Sequence, residues 1–158
     1  PGVRCEKGAF TAPFSFVDPG AIHHEGDGGE HALDRGLREP RPLQASGLFE
    51  KVHHCLGATG VFPLGGIRSR AVRLDTWRMA DGAHDYAFVH MTLKVGHGRD
   101  LATRQQVAEA LFEVITAHFA ALQNQRLLAL SFEMVELHPQ LNFKQNNVHA
   151  FLNNQQAG

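Results

Sequence analysis

The stretch from His84 to Val95 constrains the fold of this chain more than any other. Ala87, Val89, Met91, Leu93 and Val95 alternate with Phe88, His90, Thr92 and Lys94. Successive side chains of a strand point to opposite faces, so the alternation predicts a β-strand with one apolar face and one mixed face. The apolar face needs a cover, and the next element supplies one. From Leu101 to about Gln123, Val107, Leu111, Val114, Ile115, His118, Phe119 and Leu122 recur at helical spacing, which predicts a long amphipathic helix. Gly96-His97-Gly98-Arg99 makes the turn into it, and Asp100 or Thr103 can cap it. A further strand, Arg126 to Glu136, sets Leu128, Leu130, Phe132 and Met134 on one face and stops at His138-Pro139. Strand, crossover helix and strand make one β-α-β unit.

The residues before it suggest a second such unit. Ser46 can cap a helix that carries Phe49, Val52 and Leu56 on one stripe and ends at Gly57 and Gly60. Gly60 to Gly66 is a tight connection, and Ile67 to Trp77 reads as a strand. Asp81-Gly82 is a turn signal, so these two strands are expected to pair as an antiparallel hairpin. The order is α-β-β-α-β. One strand before the first helix would complete β-α-β-β-α-β, an α+β fold with two helices packed on a four-stranded sheet.

That strand is expected directly before Gly47, where the sequence offers none that convinces. Residues 1–46 hold five of the seven prolines and seven glycines. Phe10, Phe14, Phe16 and Val17 form a small apolar cluster where a short strand is possible, although Pro13 and Pro19 each break a ladder. Residues 20–46 read as loop or disorder. The chain therefore divides near Ser46 into an atypical amino-terminal segment, 1–46, and a domain, 47–158.

Composition excludes several partners. Lys and Arg number 15 against 16 Asp and Glu, so the basic footprint of a nucleic-acid binder is missing. No apolar run is long enough to span a bilayer and no signal peptide is evident, which makes the cytoplasm the expected compartment. Cys5 and Cys55 form no CxxC pair and are expected as reduced thiols. The tract from His23 to His31 has ligand-type side chains but lacks the spacing of HExxH, so a flexible polar tract is expected rather than a metal site. His53 and His54 are adjacent on a helix, diverge by about 100° and are not expected to be ligands.

Among residues that carry chemistry, Arg68 and Arg70 open the first strand of the expected hairpin, and Arg99 follows its second. Arg68 and Arg70 share a sheet face. Guanidinium groups recognise carboxylates bidentately, although most arginines are solvated surface residues. Arg68 follows the compact Gly65-Gly66-Ile67, and Arg99 lies between Gly98 and a helix start, both places where a pocket can be lined. No nucleophile–base arrangement stands out, because Ser69 and Ser131 have no His or Asp context in the sequence. Glu109 and Glu113 read as a solvated helix face. Pro1 is the last candidate. A secondary amine at the chain start serves as a general base when burial or nearby arginines lower its pKa toward neutrality.

These residues carry a resemblance. Gly47-Leu48-Phe49, Ala58 to Leu64, Gly66-Ile67-Arg68-Ser69-Arg70, Asp75-Thr76-Trp77, Met79 to Gly82, His84 to Lys94, Leu127 to Glu133 and Asn142 to Ala150 resemble the 5-carboxymethyl-2-hydroxymuconate isomerase family. The likeness spans Gly47 to Leu152, about two thirds of the chain. It implies the tautomerase β-α-β-β-α-β subunit, a homotrimer, and a cofactor-free 1,3-proton shift on a tricarboxylate in homoprotocatechuate degradation. It implies that an amino-terminal proline moves the proton while arginines hold carboxylates and polarise the 2-oxo group. Arg68 and Arg99 match two such arginines, and Pro1 stands where the proline is required. No metal or other cofactor is implied.

The residues after Pro1 depart from the family's first strand. Codons for His31-Ala32-Leu33-Asp34 read one base later can spell Met-Pro-Trp-Ile, so a shifted frame before Ser46 is the hypothesis attached to this departure. A second function class stays open on the sequence: a trimeric binding or scaffold protein with the same fold and no competent proline base.

Overall fold

The computed structural model describes residues 12–16, 45–74 and 76–156. Two helices lie on one face of a four-stranded sheet, as the periodicities require. Strand β1 is Ala12–Phe16, helix α1 Ala45–Ala58, strand β2 Ser69–Arg73, strand β3 Tyr86–Val95, helix α2 Leu101–Gln123 and strand β4 Leu127–Glu136. A 3-10 turn, Leu64–Gly66, precedes β2, and a short helix α3, Val148–Gln156, closes the described chain.

The sheet order is β2-β1-β3-β4. Strand β1 runs parallel to β2, with Ala12 opposite Ser69, and antiparallel to β3, with Phe14 opposite Met91. Strands β3 and β4 run parallel from Tyr86–Leu127 to Val95–Glu136. Each parallel pair is bridged by a helix, so both β-α-β halves are present.

Two expectations change. The first strand lies in the apolar cluster at Ala12–Phe16 rather than directly before Gly47. Pro13 stands beyond the three residues that pair with β3, so its missing N–H interrupts no pair of that ladder. The expected hairpin does not form either. Strands β2 and β3 are not neighbours, because β1 occupies the place between them. The connection from β2 to β3 therefore passes a whole strand, and its Trp77 meets Phe88 of β3 edge to face with ring centroids 5.9 Å apart.

The core sits between sheet and helices. Val89, Met91, Leu93 and Val95 of β3 pack with Val107, Leu111 and Ile115 of α2 and with Leu48, Val52 and Leu56 of α1. Burial along β3 alternates at every residue, the pattern read from the sequence. Asp100 caps α2 by accepting from the Thr103 backbone N–H at 2.8 Å and from the Thr103 hydroxyl at 2.9 Å. At the other end of the sheet Arg126 pairs with Asp85 at 2.6 Å, tying the starts of β4 and β3 together.

Candidate active site

Strand direction decides which residues meet. Strands β1 and β2 start at the end of the sheet where β3 and β4 finish. Arg68 directly precedes β2, and Arg99 follows β3 after a short turn. Both arginines therefore lie at that one end, together with the first residue of β1. Their distance apart in sequence hides this; the parallel and antiparallel pairings create it.

Arg68 is delivered by a tight turn. Gly66 N–H donates to the Pro63 carbonyl at 2.9 Å and Ile67 N–H to the Leu64 carbonyl at 3.1 Å. Ile67 is buried in the core and anchors the turn, while Arg68 is exposed beside it. Arg68 lines a cavity of about 510 Å³ whose wall includes Leu64, Ile67, Lys144, Asn146 and Leu152. That volume suits a small organic ligand. The far wall comes from the segment before α3. Asn146 donates its side-chain amide to the Gly65 carbonyl at 2.9 Å, and its own oxygen accepts from Val148 N–H at 2.9 Å. One residue thus fixes the segment to the turn and turns the chain into α3. Gly65 is required for that approach, since a Cβ there would stand 2.9 Å from His149 Nδ1 and 3.1 Å from its backbone nitrogen.

Arg99 is held differently. Gly98 has φ +100°, a conformation that side-chain-bearing residues rarely adopt, and it turns the backbone into α2. Arg99 Nη1 donates to the Gly96 carbonyl at 2.9 Å and Nη2 to the Val61 carbonyl at 3.3 Å. Its guanidinium carbon lies 4.9 Å from the centre of the Phe62 ring, a cation–π contact. Burial lowers the Arg99 pKa and the charge of Glu136 opposes the shift. An arginine starts so far above neutrality that it keeps its charge. Glu136 also pairs with Arg104 at 3.1 Å and lies 3.7 Å from His97 Nδ1.

Of the three arginines singled out in the sequence, Arg68 lines the cavity, whereas Arg70 and Arg99 are not in its wall. Pro1, Cys5 and the tract from His23 to His31 lie outside the described residues. Among the described residues no group of three His, Cys, Asp or Glu side chains is placed to hold a metal ion. Cys55 is half-buried, and burial first, then the charge of Glu113, pushes its thiol pKa up.

The two serines need correction. Ser69 meets His53 Nε2 at 3.0 Å, and Ser131 meets His90 Nδ1 at 2.8 Å. The His90 pair is not completed by a close carboxylate among the described residues: Glu133 is 3.9 Å from His90 Nε2, beyond hydrogen-bond length, and Thr92 sits nearer at 3.2 Å. These are contacts across the sheet and between helix and sheet. Lys144 and Asn146 were missed as site residues. The only signal for them was their place in the family-like run Asn142 to Ala150.

A family model described as 5-carboxymethyl-2-hydroxymuconate isomerase matches residues 39–152. The chain is 70% identical over 114 residues to the 5-carboxymethyl-2-hydroxymuconate Delta-isomerase of Escherichia coli, covering 72% of this chain and 89% of that one. It superposes on a 5-carboxymethyl-2-hydroxymuconate isomerase from Deinococcus radiodurans R1 with TM-score 0.75 and 32% identity, covering 92% of this chain and 96% of that one. At 11% identity and TM-score 0.55 it shares its fold with a fused 4-OT symmetric trimer, over 85% of this chain and 90% of that one.

Proposed function

Because the chain belongs to the 5-carboxymethyl-2-hydroxymuconate isomerase family of the tautomerase superfamily, we propose that it converts 5-carboxymethyl-2-hydroxymuconate to its 2-oxo-3-ene isomer. The protein is an enzyme of the isomerase class. The reaction is a 1,3-proton shift in the breakdown of homoprotocatechuate, and it needs a base, a place for the charge, and cations for the carboxylates. The observation that carries the reading is Arg68 in the wall of a ligand-sized cavity at the end of the sheet where β1 begins.

The mechanism assigns three roles. Pro1 is the general base: once the hydroxyl proton has passed to C3 to give the 2-oxo-4-ene, its secondary amine takes a proton from C3 and returns one to C5, which leaves the 2-oxo-3-ene. The dienolate formed between those steps carries negative charge on the 2-oxygen. An arginine aimed at that oxygen stabilises the charge where it develops, which is the larger part of such catalysis. Arg68 holds a carboxylate in the cavity. Arg99, at the same end of the sheet but outside that wall, polarises the 2-oxo group, and its two carbonyl contacts and the Phe62 ring support a fixed guanidinium plane.

The working form is a homotrimer in the cytoplasm. Its assembly is supported by the sheet face away from the helices, where Val72 is exposed and Phe88 and Val135 are only partly covered. A symmetric trimer among the proteins of the same fold supports it too.

The test is direct. Purified protein is given 5-carboxymethyl-2-hydroxymuconate and the loss of dienol absorbance is followed in the ultraviolet. Arg68→Ala is expected to lose roughly hundred-fold in kcat/KM. No conversion by the unsubstituted protein would remove the activity, and full activity in the variant would remove the role given to Arg68. Intact mass and amino-terminal sequencing of the active protein decide whether Pro1 is the proline used. A mass matching all 158 residues in active protein excludes the shifted frame.

A further inference from the structure

We propose that Lys144 is a specificity-determining residue, binding the carboxylate on the carboxymethyl arm of the substrate. The inference rests on the reading given under Proposed function. Its grounds are the charge and construction of the cavity. Among the described residues Arg68 and Lys144 both line it, and no Asp or Glu does. The other polar residues of the wall are the amides Asn142, Gln145 and Asn146. A wall with two cations, neutral amides and no carboxylate is built for an anion of more than one charge.

The two cations come from different parts of the chain. Arg68 rises from the turn before β2, and Lys144 from the segment before α3. Lys144 is two residues from Asn146, whose amide is bonded to the Gly65 carbonyl. The ammonium is thus carried on an anchored segment that faces the same cavity. The two groups also differ in kind. A guanidinium fork fixes a carboxylate in plane, which suits the end of the substrate that reacts. An ammonium is a compact charge on a flexible stem, which suits an arm that turns about single bonds.

This arm hangs from C5, the carbon that gains the proton, but its carboxylate is insulated from the reacting system by a CH2 group and keeps its charge throughout. A contact to it is as strong before the reaction as in the transition state, so its loss raises KM and spares kcat. Losing a hydrogen bond to a charged group here is expected to raise KM roughly ten- to hundred-fold.

The experiment compares Lys144→Ala and Lys144→Arg with the unsubstituted protein on two substrates: 5-carboxymethyl-2-hydroxymuconate and 2-hydroxymuconate, which lacks the arm. Lys144→Ala should raise KM for the first, leave its kcat within a few-fold, and leave KM for the second unchanged; Lys144→Arg should recover most of the loss. Equal changes on both substrates, or none, overturn the proposal. Calorimetric binding of propane-1,2,3-tricarboxylate and of pentanedioate to each protein gives a readout independent of turnover. If the unsubstituted protein converts neither substrate, the isomerase reading fails. The cavity inference is then decided by whether Lys144→Ala weakens the tricarboxylate more than the dicarboxylate. Equal weakening, or none, overturns it.

Discussion

Asn146 and Gly65 are joined by a 2.9 Å hydrogen bond across 81 positions of sequence, and that bond closes the wall opposite Arg68. The amide reaches the Gly65 carbonyl because nothing projects from the glycine to hold the two segments apart.

Gly65→Ala is therefore expected to damage both stability and activity. The added Cβ would meet His149 Nδ1 at 2.9 Å and its backbone nitrogen at 3.1 Å. Overpacking of this kind costs about 1–3 kcal/mol. Combining it with His149→Ala should restore only part, because the backbone contact stays. Denaturant unfolding of the two variants checks this, and full rescue by the second substitution would contradict it.

Arg99→Lys should be almost as damaging to catalysis as Arg99→Ala. The guanidinium is held by two carbonyls in different segments and by the face of Phe62, and an ammonium cannot reproduce that plane. Both variants are expected to lose roughly 10²–10³ in kcat. A lysine variant with near-normal turnover would show that charge alone suffices.

Leu111→Ala tests the core. Leu111 is fully buried on α2 against the sheet, so truncation removes apolar contact and leaves a cavity. The expected loss is about 2–5 kcal/mol in unfolding free energy. A loss no greater than that of an exposed leucine such as Leu101 would mean the packing is misassigned.

Stability should fall on acidification partly through Asp100. Its pKa is lowered by the Thr103 backbone N–H first and then by the Thr103 hydroxyl. A carboxyl with a lower pKa folded than unfolded stabilises the fold fully above its unfolded value, about 3.9, and loses that contribution as pH falls through the folded value. Asp100→Asn keeps a capping oxygen but cannot titrate. Between about pH 6 and about pH 3 the melting temperature of the variant should fall less than that of the unsubstituted protein. Asp81, whose pKa is also lowered, remains in both and sets the common background. Parallel curves would remove Asp100 from the account.

Local pattern told most where an element is long and one-sided. Strand β3, helix α2 and strand β4 lie within two residues of their expected bounds, because burial follows period two in β3 and a 3.6-residue stripe in α2. Strand adjacency was not legible. A turn signal at Asp81-Gly82 suggested a hairpin, but whether a third strand enters between two others is not encoded near the turn. Helix α3 escaped notice because nine mostly polar residues carry no apolar stripe of useful length. The Ser69–His53 and Ser131–His90 pairs span 16 and 41 positions, beyond the reach of any spacing rule. Arg68 was legible as a pocket-lining residue from its turn. Lys144 was not, since a single lysine in a polar run reads as solvated.

Strand β1 has one further consequence, for biosynthesis. In the sheet β2 is bonded to β1 alone, so without Ala12–Phe16 the strand carrying Arg70 would have no neighbour to join it to β3. A ribosome makes β1 first and its two partners afterwards. The earliest strand to emerge can be paired on one edge only after Arg73 is made and on the other only after Met91. The first half is thus completed only after β3, the opening strand of the second half, has been made.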